Sequence, residues 1–236
     1  MRYKIADLVV DMDVKYPRLT SQCKKYKYDG DLKTNMKIRF RDGLFDEHAP
    51  QFPEIGADGL EYLWTGAEFY NLLVQFGGMM LHSSWVVYKD RAYLFSAPCG
   101  TGKSTHTQLW LKQFPGSYIL NDDKPAIRIM PDGIYAYGTP FSGKTDLSVD
   151  KGVKIGGICI LARGEKNSIS RVSTDEALTV ILNQTIRPNK EDGMDKLLKI
   201  LDRVLSRVPV YRLYCNMEPE AAEVSYNGMK DETEEM

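Results

Sequence analysis

The string Ser96-Ala-Pro-Cys-Gly-Thr-Gly-Lys-Ser-Thr-His106 limits the architecture of this chain more than any other segment. It lies between an apolar and aromatic run, Ala92 to Ser96, and a helical pattern that begins near Ser104 and ends at about Phe114, before Pro115-Gly116. Glycine at 100 and 102 lets the backbone pass close to an anion without a Cβ clash, and the amides from Thr101 to Thr105 then open a helix whose positive end faces it. Lys103 sets a flexible ammonium against β and γ phosphates, and the Ser104 hydroxyl stands where a Mg²⁺ (or Mn²⁺) ligand belongs. The spacing is that of GxxxxGK[ST] with Ala97 at the first glycine, which leaves the loop's flexibility to Gly100. A phosphate-binding loop for a nucleotide such as ATP is expected, and with it an α/β fold.

A second constellation follows at the end of the next strand pattern. Asp122 and Asp123 in "YILNDDKP" are adjacent carboxylates, and neighbours on a strand point to opposite sides. One is expected to face a metal with Ser104 and the other an incoming nucleophile, with a raised pKa that suits a general base. The residues alone do not say which acid takes which part. Asn-Asp-Asp before Lys-Pro is also good turn chemistry.

Three further groups are candidates for handling phosphate. The loop Thr139 to Asp146, "TPFSGKTD", offers Ser142, Gly143 and Lys144 to a transferred phosphoryl group, with Lys144 supplying charge where it develops. Arg163 ends an apolar strand and Arg187 opens a loop, and either guanidinium suits a bidentate phosphate clamp. His106, in the first turn of the loop's helix, reads as packing, and Trp64, Trp85 and Trp110 as core or interface anchors. Asp11 and Asp13 alternate with Val10, Met12 and Val14, so they read as the wet face of an edge strand rather than as metal ligands.

Composition narrows the function classes. The chain has 236 residues with 31 basic and 32 acidic side chains, so it is no nucleic-acid binder working by bulk basicity. Apolar runs stop after a few residues, so neither a membrane span nor a signal peptide is expected. The four cysteines form no CxxC pair and suit a reducing, cytoplasmic setting.

Along the chain, residues 1–66 lack helical periodicity and read as a small β-rich lobe, and 67–228 as the domain that carries the loop. An acidic tail, 229–236, has too few apolar residues to fold. Within the larger domain, helices are expected over Ala67 to Met80, from Ser173 or Thr174, and over Met194 to Val208. Hairpins are expected around Lys89-Asp90 and Pro131-Asp132-Gly133, "GGICILA" is expected to be a buried strand, and "VYRLYC" to be the last strand.

The loop "APCGTGKST", the acid pair "NDD" and Leu81-His82 one hairpin upstream resemble the catalytic domain of the HPr kinase/phosphorylase family, within the phosphoenolpyruvate carboxykinase superfamily. The resemblance runs from about Met79 to Cys215 and implies a mixed, twisted sheet with flanking helices. It also implies that His82, Lys103, Ser104, Asp122 and Asp123 line one site, and it admits a homo-oligomer. "IRPN", Ile186 to Asn189, is similar to the family's second anion loop without its second arginine. "VKIGGICI" has the outline of its signature strand without the arginine, and the first lobe is unlike the family's. Together these observations imply an ATP-dependent kinase acting on a protein Ser/Thr or small-molecule hydroxyl, without nucleic acid or membrane as partner. A nucleotide-binding regulatory module without transfer, and a carboxykinase-type enzyme, are the alternatives.

Overall fold

A computed structural model describes residues 1–188 and 191–230. Its first element is a tight hairpin. Arg2–Ile5 (β1) and Leu8–Met12 (β2) pair antiparallel about Ala6 and Asp7, whose φ angles of 52° and 57° are those of a turn that matches strand twist. Met36–Ile38 (β3) joins β2 in parallel, so β2 is the middle strand of a three-stranded sheet and not an edge. The alternation itself is as expected: Val10 and Met12 are buried, while Asp11 and Asp13 stay on the wet side and meet Arg39 at 2.6 and 3.2 Å.

Short helices Pro17–Gln22 (α1) and Leu44–His48 (α2) lead to a long one, Gly56–Leu73 (α3). That helix begins eleven residues before the expected Ala67, so the division at 66/67 falls inside it, and residues 78–80 are strand instead of helix. The apolar rhythm of 56–66 is masked by Gly59, Gly66 and the buried Glu61, whose burial is legible only in three dimensions. Glu61 accepts the backbone N–H groups of Lys15 (2.7 Å) and Tyr16 (3.0 Å), and Asp58 accepts that of Arg18 (2.9 Å), so α3 caps the start of α1. Gly66 lets the Phe141 ring approach, since a Cβ there would lie 3.0 Å from it.

The main sheet is mixed and has nine strands. In chain order they are Gly78–Met80 (β4), Ser83–Tyr88 (β5), Arg91–Ser96 (β6), Tyr118–Asp123 (β7), Ala126–Met130 (β8), Gly133–Tyr137 (β9), Gly152–Arg163 (β10), Ser168–Arg171 (β11) and Val210–Cys215 (β12). Both expected hairpins form, β5–β6 and β8–β9. β10 is longer than the expected seven-residue run: its first residues pair with β9, from Ile155 it runs parallel to β6 with a register shift between Ile155 and Gly157, and from Ile158 it runs parallel to β12 as well. One strand thereby joins two stretches of sheet.

Period-two burial sorts the side chains onto the two faces. Trp85, Val87, Leu94, Ile158 and Ile160 meet Thr174–Leu182 (α5) and Glu191–Leu205 (α6), whereas Val86, Tyr93, Phe95, Cys159 and Leu161 meet Lys103–Gln113 (α4) and Glu220–Met229 (α7). Ser173 caps α5 by accepting the Glu176 N–H at 3.3 Å, as its position predicts. α7 has no counterpart in the sequence reading. A third cluster binds β1–β3 and α3 to Met80, Ala126, Tyr137 and Phe141, which fixes the amino-terminal lobe against the main sheet. The expected tail, 229–236, starts too early, because Met229 is the buried last residue of α7; its residues from 231 onward, and Asn189 of "IRPN", lie outside the described residues. Among the described residues, no helix is long and apolar enough to cross a membrane.

Candidate active site

The loop after β6 delivers the helix start that its glycines predict. Gly100 and Gly102 have φ of 76° and 118°, and a methyl group at either would touch nothing within 4 Å, so glycine is required there for backbone conformation and not for space. Lys103 folds back over the loop and donates to the carbonyl oxygens of Ala97 (2.9 Å) and Pro98 (3.4 Å). Burial pulls its ammonium pKa down, partly offset by Asp123 and Asp122 nearby.

β7 lies beyond β5 in the same sheet and ends beside this loop, which brings the two acids to it. Their partners differ. Asp122 accepts the Ser104 hydroxyl at 3.0 and 3.2 Å and the Thr145 hydroxyl at 3.3 Å. Asp123 accepts Lys124 Nζ at 2.6 Å and the Tyr62 hydroxyl at 3.3 Å, and meets His82 Nε2 at 3.4 Å. Its φ of 123° is rare for a residue with a Cβ, and these contacts from three separate side chains hold it there.

The raised carboxyl pKa expected of the pair does not occur at Asp123. Burial pushes that carboxyl up, but the hydrogen bonds of His82 and Lys124 and the Lys124 charge outweigh it and hold the group at about 2. Burial and the adjacent Asp123 charge push the Tyr62 hydroxyl upward, so Tyr62 stays protonated and donates.

Lys103, Ser104, Thr105, Asp122, Asp123 and His82 all line one open cavity of about 660 Å³, with Gly143, Lys144 and Thr145 across it. Lys144 is exposed there. Ser142 is fully buried and donates to Asp146 at 3.1 Å, so it braces the loop and does not face the cavity. Arg163 donates to the Gly100 carbonyl at 2.7 Å, a contact that steadies the glycine loop from outside. Arg187 donates to Asn183 Oδ1 at 2.6 Å one helical turn away and does not line this cavity.

Arg163 also lines a second cavity, about 490 Å³, on the far flank of the loop with Gly102, Thr105, Leu109, Asn216 and Met217. His106 is buried under it: Trp110 Nε1 donates to His106 Nε2 at 3.3 Å and to Ser225 Oγ at 2.8 Å, which fastens α7 to the loop's helix. His106 is therefore a packing residue, as its position predicts.

Arg18, Tyr62, Lys124 and Thr145 are site residues that sequence reasoning missed. Thr145 and Lys124 stand within the quoted strings and were legible as neighbours of named residues, but Arg18 and Tyr62 come from the other lobe and carry no motif.

Ser104, Asp122 and Thr145 form a set of hard oxygen donors at the loop's mouth. Among the described residues no cluster of three or more His, Cys, Asp or Glu side chains forms a cage for a metal. Mg²⁺ held largely by phosphates and water needs only one or two protein oxygens, and this donor set fits that mode.

No family model and no curated protein matches the chain. A solved structure, the HPr(Ser) kinase/phosphatase from Coxiella burnetii, aligns over 63% of this chain and 94% of its own at 12% identity and a TM-score of 0.39. That is a distant likeness of fold.

Proposed function

We propose that the chain is a phosphotransferase that binds Mg²⁺·ATP at the loop Gly100 to Thr105 and moves the γ-phosphoryl group to a hydroxyl acceptor. The observation that carries this reading is the division of labour between Asp122 and Asp123 within one cavity. Asp122 already shares hydrogen bonds with the loop hydroxyl Ser104, and Asp123 faces away from it toward His82, Lys124 and Tyr62.

On this reading Ser104 and Asp122 would hold the metal, whose chemistry when bound would be to neutralise charge on the β and γ phosphates. Lys103 leaves the Ala97 and Pro98 carbonyls for the phosphates, and Lys144 faces the transferred group. The acceptor oxygen forms a bond to Pγ as the bond from Pγ to the β–γ bridging oxygen breaks, and the acceptor proton passes to Asp123 and then to solvent. A carboxyl held at about 2 is a weak base, so Asp123 acts chiefly by accepting the hydroxyl's hydrogen bond and aiming it; a loose transition state asks for little more. The 490 Å³ cavity receives the nucleoside, with Leu109 and Met217 as its apolar walls.

Incubation with γ-labelled ATP, Mg²⁺ and cell extract tests the reading. Label carried to an extract component, and lost in Asp123→Asn and Lys103→Ala, is expected. Tight ATP binding that labels no component would replace it with a nucleotide-binding module.

A further inference from the structure

The 660 Å³ cavity has a second wall that the phosphate chemistry leaves unexplained. Arg18 from α1 and Ile55, Tyr62 and Leu63 from the segment around α3 all line it, opposite the phosphate loop. Ile55 and Leu63 are 36% and 40% exposed and give that wall an apolar portion.

The charges across the cavity can be assigned one by one. Lys103 belongs to the phosphates, Asp122 to Ser104 and Thr145, and Asp123 to Lys124, His82 and Tyr62. Arg18 and Lys144 remain, and among the described residues neither has a carboxylate partner.

Arg18 is also the better held of the two. Its backbone N–H is fixed by Asp58 at 2.9 Å, and its guanidinium lies over the Tyr62 ring, 3.6 Å from the centroid. Stacking occupies the face of a guanidinium and leaves its in-plane donors free for a bidentate anion. The hydroxyl of that same ring reaches Asp123. The Tyr62 ring therefore links the free fork stacked on its face to the carboxylate that aims the acceptor.

We propose that the acceptor is a small anionic alcohol, bearing a carboxylate or phosphate group a few bonds from its hydroxyl, and that Arg18 binds that group with Lys144 facing it across the cavity. This rests on the phosphotransfer reading for the hydroxyl's role, but the site itself is a binding claim. Cavity size favours a small molecule over a folded partner. Carboxylate and phosphate share the planar or trigonal oxygen array that the fork recognises.

The test is a titration of the full chain, labelled with ¹⁵N-arginine, followed at the Arg18 Nε–H resonance with and without Mg²⁺ and a non-hydrolysable ATP analogue. The probes are glycerate, glycerol 3-phosphate, glycerol and a short serine peptide with a neighbouring glutamate. A saturable shift with glycerate or glycerol 3-phosphate, half-complete at about 1 mM, and none with glycerol, is expected. Which of the two binds more tightly identifies the anion. In calorimetric titrations of the same probes, Arg18→Met should weaken that binding about tenfold or more, with Arg18→Lys between, while affinity for the ATP analogue is unchanged.

Equal shifts with glycerol, no shift with either small anion, or a shift with the peptide alone would overturn the proposal. Absence of label transfer in the extract experiment would sink the phosphotransfer reading and leave this binding result to be read on its own.

Discussion

The Tyr62 hydroxyl, carried by a helix of the amino-terminal lobe, donates to Asp123 at 3.3 Å and accepts the Gly143 N–H at 2.9 Å. One side chain thus ties together an acid of the sheet, the loop across the cavity and the lobe that brings it in. Each of these contacts implies a measurable response.

Asp123 should titrate near 2 in a carboxyl ¹³C NMR experiment. Its folded value lies below the ordinary 3.8, so its contribution to stability is present above about 3.8 and is lost as pH falls toward 2, on the order of 2 kcal/mol in all. Replacing His82 by alanine removes the hydrogen bond that lowers it most, and the midpoint should rise by about one unit. An unchanged midpoint would show that Lys124 alone sets it.

Gly143→Ala should impair turnover while binding of nucleotide persists. The new Cβ would lie 3.0 Å from Asp123 Cβ on a backbone with φ of 71°, so the acid must shift. Displacements of this kind cost about tenfold to a hundredfold in kcat. Gly102→Ala makes a useful contrast: no atom stands in the way, yet φ of 118° is strained for alanine, and a loss of about 1–2 kcal/mol in urea unfolding is expected along with weaker nucleotide binding.

The buried His106, at the floor of the 490 Å³ cavity, gives the molecule an acid sensitivity. Burial lowers its pKa from 6.5 to about 4, so the folded state resists protonation while the unfolded chain accepts it. Stability is full above about 6.5 and declines as pH falls toward 4. Urea midpoints at about pH 7 and pH 5 should differ by about 2 kcal/mol in free energy for this group, and His106→Gln should remove that difference.

Tyr226→Ala should destabilise the protein by about 3 kcal/mol in the same assay. Tyr226 packs edge-on against Tyr88, Tyr93 and Trp110 and is 8% exposed, so its loss opens a void beneath the loop's helix. A change below about 1 kcal/mol would mean that α7 contributes little to that layer.

Much of the main sheet was legible because its strands carry strong local signals. Lys89-Asp90 between two β-rich runs could form little but a hairpin, and both residues take the positive φ that such a turn requires, 47° and 56°. The turn into α4 announced itself by glycine spacing, and Asp122 by its place one strand later. What was not legible is what depends on long-range partners. α3 hides Glu61 and two glycines in its buried surface, and α7 presents Ala221, Ala222 and Ser225 to its neighbour, small residues with no marked apolar rhythm. The same holds for Asp123, since its low pKa comes from His82, 41 positions earlier in the chain, as well as from the adjacent Lys124. Arg18 and Tyr62 reach the cavity only because Asp58 and Glu61 pin α1 against α3, a relation no short string encodes.

Ser225 and Tyr226 seal the inner side of α4, Ser225 from 115 positions beyond the Trp110 it meets. Trp110 takes one side of its packing from Tyr93 and Phe95, which precede it, and the other from Tyr226, while β6 takes its parallel neighbour from β10. On the reading proposed above, competence for nucleotide would therefore depend on strands and helices that follow the glycine loop in the chain, and not on the loop alone.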